Sequence, residues 1–377
     1  MTKLLSQISD WLQRNPRSLY LVVMVIWGGT LSSKYFFNGL LFGFDFGLYH
    51  PDGALYSFRT LLMSGTDKIE AGRIVAEWYQ ENSFKSKPSG PDLYFENSEF
   101  RWYTYKPRIL YPFLSVPFVK LLGMPGMLVV PALSYLAVFI LAAYITHKLE
   151  IPLMGIFIGL WMSCSITISR WMFSNTTDGL LLLFTSVLVI LLFKNQSLKF
   201  NFNTSIILLL ISLLSALTRF SALFWLGIAV VFFIHRRIRT ALLLASVTLI
   251  SHIPIFLQPI SGHVLKGSSD QSILGKLDDY PKLLARYTIV EVGQLLVLDR
   301  LLLTGLLFAL LWSILHLKSI SSQVFLVSLI TLWLTGSIDG TPGVNFRYQI
   351  PIIPLCCWVL LDSSVRLKVL WSPTKPV

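Results

Sequence analysis

Long apolar runs alternate with short polar joints along this chain. After a basic stretch, 1–17, with Lys3, Arg14 and Arg17, a first run begins near Ser18 and is interrupted by Lys34. Further runs cover roughly 127–147, 151–169, 179–193, 204–218, 220–234, 240–257, 300–317, 322–336 and 348–362, ten in all with the first. An upright crossing needs about 20 apolar residues. The shorter runs are therefore expected to tilt, to be half-helices, or to extend past these bounds. The segment 204–234 reads either as one long helix or as two, hinged at Thr218-Arg219. Only two helices put Lys194, Lys199 and the Arg236-Arg237-Arg239 cluster on one side, as the cytoplasmic bias of basic residues favours. The pattern predicts an all-α fold, a polytopic membrane bundle of about ten transmembrane helices.

Two polar intervals are long. Residues 43–126 form a first outer loop, with an amphipathic stretch at 53–80, a polar stretch at 81–107, and a proline-broken apolar segment, Ile109–Leu114, that suits the interface. Residues 259–299 form a second outer loop with an amphipathic stretch at 281–297. Connections of this length are seldom kept without a use. No internal repeat or low-complexity tract is present. The chain reads as one membrane domain, 1–377, with a cytoplasmic N-terminus at 1–17 and a loose cytoplasmic tail at 363–377.

Composition agrees with the pattern. The chain of 377 residues is 54% hydrophobic and 13% charged, against about 25% charged in a soluble domain. Its net charge of +12 does not point to nucleic acid, because no basic patch is interleaved with aromatics in a soluble segment. It follows the topology instead. Both termini inside gives the inner joints thirteen basic and three acidic residues, and leaves eighteen and sixteen for the rest. Cys164, Cys356 and Cys357 lie in apolar runs and form no disulfide framework or metal spacing. The six scattered histidines form no H-E-x-x-H motif.

This topology places Asp45, Asp52, Arg59, Arg108, Arg170, Asp178, Arg219, Asp339 and Arg347 on the outer side or just beneath it. Asp45, His50, Asp52 and Arg59 follow the first run. Asp52 lies in Pro51-Asp52-Gly53 ahead of a helix-like stretch. Two readings stand for it: a helix cap, or a general base that activates a hydroxyl. Asp45 would assist it or bind a metal, and His50 would tune either acid. Arg108 and Arg347 each stand at the start of an apolar run, where an interface anchor and a phosphate clamp are both plausible, since guanidinium matches phosphate oxygens. Arg219 lies between two apolar runs, an expensive place for a charge. Arg170 and Asp178 flank Ser174-Asn175-Thr176-Thr177 and are placed to pair with each other.

A carboxylate site near several arginines, on the outer face of a lipid-embedded bundle, suits group transfer from a lipid-linked phosphate. The motif order resembles the GT-C superfamily of polytopic glycosyltransferases. The acid follows the first span within Phe44–Arg59. Arg108-Ile109-Leu110-Tyr111-Pro112 precedes the second, and Thr177-Asp178-Gly179 opens a middle helix. Leu217-Thr218-Arg219 lies mid-bundle, and Arg347-Tyr348-Gln349-Ile350-Pro351 opens a late helix.

The resemblance covers most of residues 18–362. It implies an inverting transfer of a sugar from a polyprenyl-phosphate donor to an extracytoplasmic glycan, lipid or protein acceptor. It further implies Asp52 or Asp45 as base, and a substrate site drawn from His50, Arg59, Arg108, Asp178, Arg219, Arg347 and Tyr348. Many members pair their acids closely, whereas here Asp45 and Asp52 stand seven apart. The choice of base and a requirement for a divalent metal stay open, and no other cofactor is expected. The expected location is a bacterial plasma membrane, with the active site facing outward. A transporter, flippase or polymerase for lipid-linked saccharides is the alternative.

Overall fold

The computed structural model describes residues 23, 26–30, 51–82, 108–174, 176–194, 198, 200–256, 280–339 and 347–371. Among these residues every regular element is a helix. Two helical segments, Met124–Lys148 and Ile320–Ser337, are long and apolar enough to cross a membrane.

The amphipathic stretch at 53–80 is two helices, Pro51–Met63 (α1) and Lys68–Asn82 (α2). Gly65 turns the chain between them at φ +94°, a value that glycine tolerates and side chains resist. Asp67 then accepts from the Ile69 amide at 2.8 Å, satisfying an orphan donor of the α2 N-terminus. The segment at 109–114 is not broken by its proline. It opens the helix Leu110–Leu122 (α3). Pro112 falls in the first turn, where no helical N–H bond is lost, while Pro117 lies inside.

The main bundle begins with Val129–Lys148 (α4). The run at 151–169 forms two helices rather than one, Pro152–Cys164 (α5) and Ile166–Phe173 (α6). Ser165 divides them in an extended conformation, and its Oγ accepts from the Ile168 amide at 3.1 Å. Asp178–Lys194 (α7) follows. The interval 204–234 resolves into two helices, Phe202–Ala216 (α8) and Phe224–Ile234 (α9), joined through a 3-10 turn at Phe220–Leu223. Ile238–Phe256 (α10) comes next.

Within the interval 259–299, residues 280–298 form the helix Tyr280–Leu298 (α11), which abuts Arg300–Leu315 (α12) with one residue, Asp299, between them. Ile320–Asp339 (α13) and Ile352–Trp371 (α14) complete the bundle. The last helix runs on to Trp371, into the segment expected to be a loose tail. Ser319 and Ser321 hydroxyls donate to Asp362 at 2.8 Å, and Arg366 donates to it at 3.2 Å, tying this continuation to α13.

α14 is the central element. It packs against α5, α7, α12 and α13, and residues 350–356 are buried without interruption. Close approaches between helices rest on glycine. A Cβ at Gly227 of α9 would stand 2.8 Å from Thr331 Oγ1 of α13, and one at Gly305 of α12 would stand 2.7 Å from the Trp161 ring. Trp161 meanwhile donates its indole N–H to the Leu301 carbonyl at 3.0 Å. Large apolar side chains also cover much of the outside: Leu121, Leu153 and Leu315 are 80%, 81% and 77% exposed.

Candidate functional site

Three turns from distant parts of the chain meet at one buried point. The first is Ser174–Asp178, where α6 gives way to α7. The second is the turn after α8 that carries Arg219. The third is the 3-10 turn Arg347–Gln349, ahead of α14. Asp178 is completely buried and joins all three. Its Oδ1 accepts from Arg219 Nη1. Its Oδ2 accepts from Arg347 Nε at 3.0 Å and from the Thr176 hydroxyl at 2.7 Å. The Ser174 hydroxyl bonds Thr176 at 2.9 Å and extends the chain.

Local sequence sets up each arm. Asp178 opens α7, where a negative charge meets the positive end of the helix dipole. Arg219 follows the C-cap of α8, and its amide still donates to the Ser215 carbonyl at 3.1 Å. Arg347 lies over the Trp171 ring, its guanidinium carbon 4.5 Å from the centroid. A planar guanidinium can stack on an indole and still present its edge donors.

A second basic group adjoins this one. The Leu110 amide donates to the Leu217 carbonyl at 3.4 Å, which docks the start of α3 on the turn that carries Arg219. Arg108, two residues earlier, is buried and donates to the Tyr56 hydroxyl at 3.4 Å. Tyr56 meets Tyr111 edge-on at 5.4 Å, and Tyr111 donates to the Met127 carbonyl at 2.7 Å. Arg59 is half-buried one turn beyond Tyr56. Burial pushes its guanidinium below the ordinary value, and Tyr56 acts in the opposite sense. It keeps its charge at any physiological pH.

The structure therefore brings Asp178, Arg219 and Arg347 into contact and sets Arg108 and Arg59 on the adjoining layer. Asp178 takes its arginines from Arg219 and Arg347, far along the chain; the side chain of Arg170, the neighbour placed to pair with it, lies outside the described residues. Asp52 occupies the second position of α1, and Tyr348 is the middle residue of the 3-10 turn. The side chains of these two lie outside the described set, as do Asp45 and His50 entirely. Among the described residues, no group of three His, Cys, Asp or Glu gathers that could hold a metal.

Several site residues gave no clear signal in the sequence. Trp171, Thr176, Tyr287 and Gln349 are ordinary residues of apolar helices and turns until contacts assign them. Glu291 joins them: it is fully buried, but it falls in the stretch 281–297, which reads in the sequence as an amphipathic part of an outer loop, where a glutamate is ordinary.

Asp299 is a further buried carboxylate. It accepts from the Ser165 hydroxyl at 2.5 Å, the Thr167 amide at 2.9 Å and the Leu302 amide at 3.0 Å. One side chain thus caps both α6 and α12. No protein-family model, curated protein or solved structure matches this chain.

Proposed function

We propose that this chain is a polytopic membrane glycosyltransferase of the GT-C type, taking a sugar from a polyprenyl-phosphate donor to an extracytoplasmic acceptor. The observation that carries this reading is the convergence of Arg219 and Arg347 on one buried point through Asp178. Both guanidinium groups are held in fixed orientations, and a third, Arg108, lies buried in the segment that docks on the Arg219 turn through Leu110. Such forks match the oxygens of a phosphate and favour the charge it gains on leaving. The exposed apolar side chains of α3, α5 and α12 supply a lipid-facing surface. Together with the ten apolar runs and the charge bias, they support a bundle of about ten spans with both termini cytoplasmic and the site outward.

In this reading the acceptor hydroxyl attacks the anomeric carbon as the bond from that carbon to the phosphate oxygen breaks. Asp52 or Asp45 receives the hydroxyl proton, and the lipid phosphate leaves onto the arginines. Asp178 is then a positioning residue for Arg219 and Arg347.

The test is transfer of labelled sugar from a polyprenyl-phosphate donor by the purified chain in lipid nanodiscs. Arg347→Ala is expected to lower turnover about 100- to 1000-fold, the usual effect of removing one charge-stabilising donor. Asp52→Asn is expected to lower it about 100-fold or more if Asp52 is the base. Undiminished transfer by Asp52→Asn assigns that role elsewhere, and undiminished transfer by Arg347→Ala overturns the phosphate site.

One observation favours the alternative of a transporter. Two interrupted helical segments, α5–α6 and α11–α12, meet at Asp299, and transporters build binding sites at such interruptions. Flux of a lipid-linked saccharide across liposomes without consumption of the donor would establish that function instead.

A further inference from the structure

Beside the arginines lies a buried amide that is half satisfied. Gln349 is fully buried, two residues after Arg347 in the same 3-10 turn. Its Nε2 donates to the Tyr287 hydroxyl, while its Oε1 has no hydrogen-bond partner. Exchanging the amide oxygen and nitrogen leaves the other atom orphaned, so the conclusion does not depend on how the amide is turned. Thr177 Oγ1, next to Asp178, is a second buried atom without a partner. Buried polar atoms are nearly always paired, with protein, water or ligand.

The surroundings are built to hold this amide. A Cβ at Gly336 of α13 would stand 2.6 Å from the Tyr287 hydroxyl and 3.1 Å from Gln349 Nε2. Any other residue there would push the pair apart. The Tyr287 ring is fixed edge-on against Trp333 at 5.8 Å, and Trp333 donates to the Thr288 hydroxyl at 2.8 Å. One turn along the same face of α11 stands Glu291, fully buried. An amide, a phenol and a carboxylate thus gather in an apolar bundle beside an anion-binding turn. Amide and carboxylate oxygens accept from hydroxyl groups, so the chemistry matches a head group that carries several hydroxyls next to a phosphate.

We propose that Gln349, oriented by Tyr287, takes a hydroxyl of the donor's sugar and thereby selects the glycosylated lipid over the bare lipid phosphate. This rests on the phosphate site proposed above and adds the element that reads the sugar. Sites that hydrogen-bond a substrate hydroxyl discriminate strongly against ligands lacking it, because a buried partner is then left unmet.

The test uses the full chain in nanodiscs and measures binding of two sets of probes, polyprenyl phosphate and a panel of polyprenyl-phosphate hexoses. Gln349→Leu is expected to weaken binding of the preferred hexose lipid about 10- to 100-fold, the loss of one or two buried hydrogen bonds. It should leave polyprenyl phosphate within about 2-fold, and the thermal midpoint without ligand should change little, because the lost bond to Tyr287 is offset by removal of an orphaned acceptor. Tyr287→Phe should weaken the hexose lipid in the same selective way, and it serves where Gln349→Leu does not fold. Arg347→Lys should weaken both probes. Equal losses for both probes in the Gln349 and Tyr287 variants would assign these residues to the scaffold and overturn the proposal. So would equal affinity of the unaltered chain for bare and glycosylated lipid, the result expected if Gln349 holds only water. Binding of neither probe, or binding indifferent to Arg347, would instead overturn the phosphate site itself.

Discussion

Two buried carboxylates of the bundle, Asp299 and Asp178, are satisfied in opposite ways. Asp299 is met by neutral donors: one hydroxyl and the amides at the starts of two helices. Asp178 is met by two guanidinium groups and a hydroxyl. The first arrangement is closed, because every partner is a backbone end or a short side chain with no further reach. The second is built from charges. A carboxylate shared between two guanidinium groups fixes the directions of both. The first site joins the starts of two helices; the second joins two arginines from distant parts of the chain.

Three substitutions would break or sharpen this contrast. The largest effect is expected from Asp299→Ala, which strands the N-termini of α6 and α12 together. Each cap contributes about 1 kcal/mol and the buried charged bonds add to that, so a loss of about 3–5 kcal/mol is expected. It would be read as a fall in the thermal midpoint of the detergent-solubilised chain, and an unchanged midpoint would refute the structural role. Asp178→Asn keeps one acceptor and should cost about 3 kcal/mol, the low end for breaking a buried ion pair. Here the contrast is sharpest in a double variant. Asp178→Asn with Arg347→Met removes one of the two guanidinium charges that Asp178 balances and should recover part of the stability while leaving transfer abolished. Recovery of both would make the cluster structural, like the one at Asp299. Tyr111→Phe removes the 2.7 Å bond to Met127 that moors the α1–α3 layer, at about 1 kcal/mol.

The smallest effect belongs to the exposed face of α2, where Arg73 bonds Glu70 and Glu77 at 2.6 Å. The hydrogen bond from Arg73 holds the Glu70 carboxyl below its usual value. Its contribution is therefore present above the ordinary glutamate range and is lost as pH falls through the lowered value. Arg73→Ala should shift the thermal midpoint slightly and only at low salt, since exposed pairs are screened. A large or salt-independent shift would show that α2 is clamped by something more than this surface pair.

How much of the site was legible depends on the residue. Arg219 stood out because a charge between two apolar runs is costly wherever it folds. Arg108 and Arg347 stood out at the starts of apolar runs. Asp178 was visible too, but its expected neighbour was Arg170, a few residues away in the chain. Its observed partners lie 41 and 169 residues away, a separation that no local pattern encodes. The hinge at Thr218-Arg219 followed from charge bias. The break at Ser165 did not, because a serine in an apolar run reads equally as a helix surface residue. Only Asp299, arriving from α12, shows why the helix stops there.

By itself, the sequence determined the helical class and the arginines and carboxylates that burial would make costly, and its charge bias favoured two helices over 204–234. These follow from hydropathy and charge, which act residue by residue. The tertiary structure decided which charge meets which, that α11 and α12 abut at a cap, and that Gln349 is left with an unmet acceptor. Helices that are apolar on every side carry no amphipathic period to say which face meets a neighbour. That information exists only once the helices pack and each buried polar atom has to find its partner.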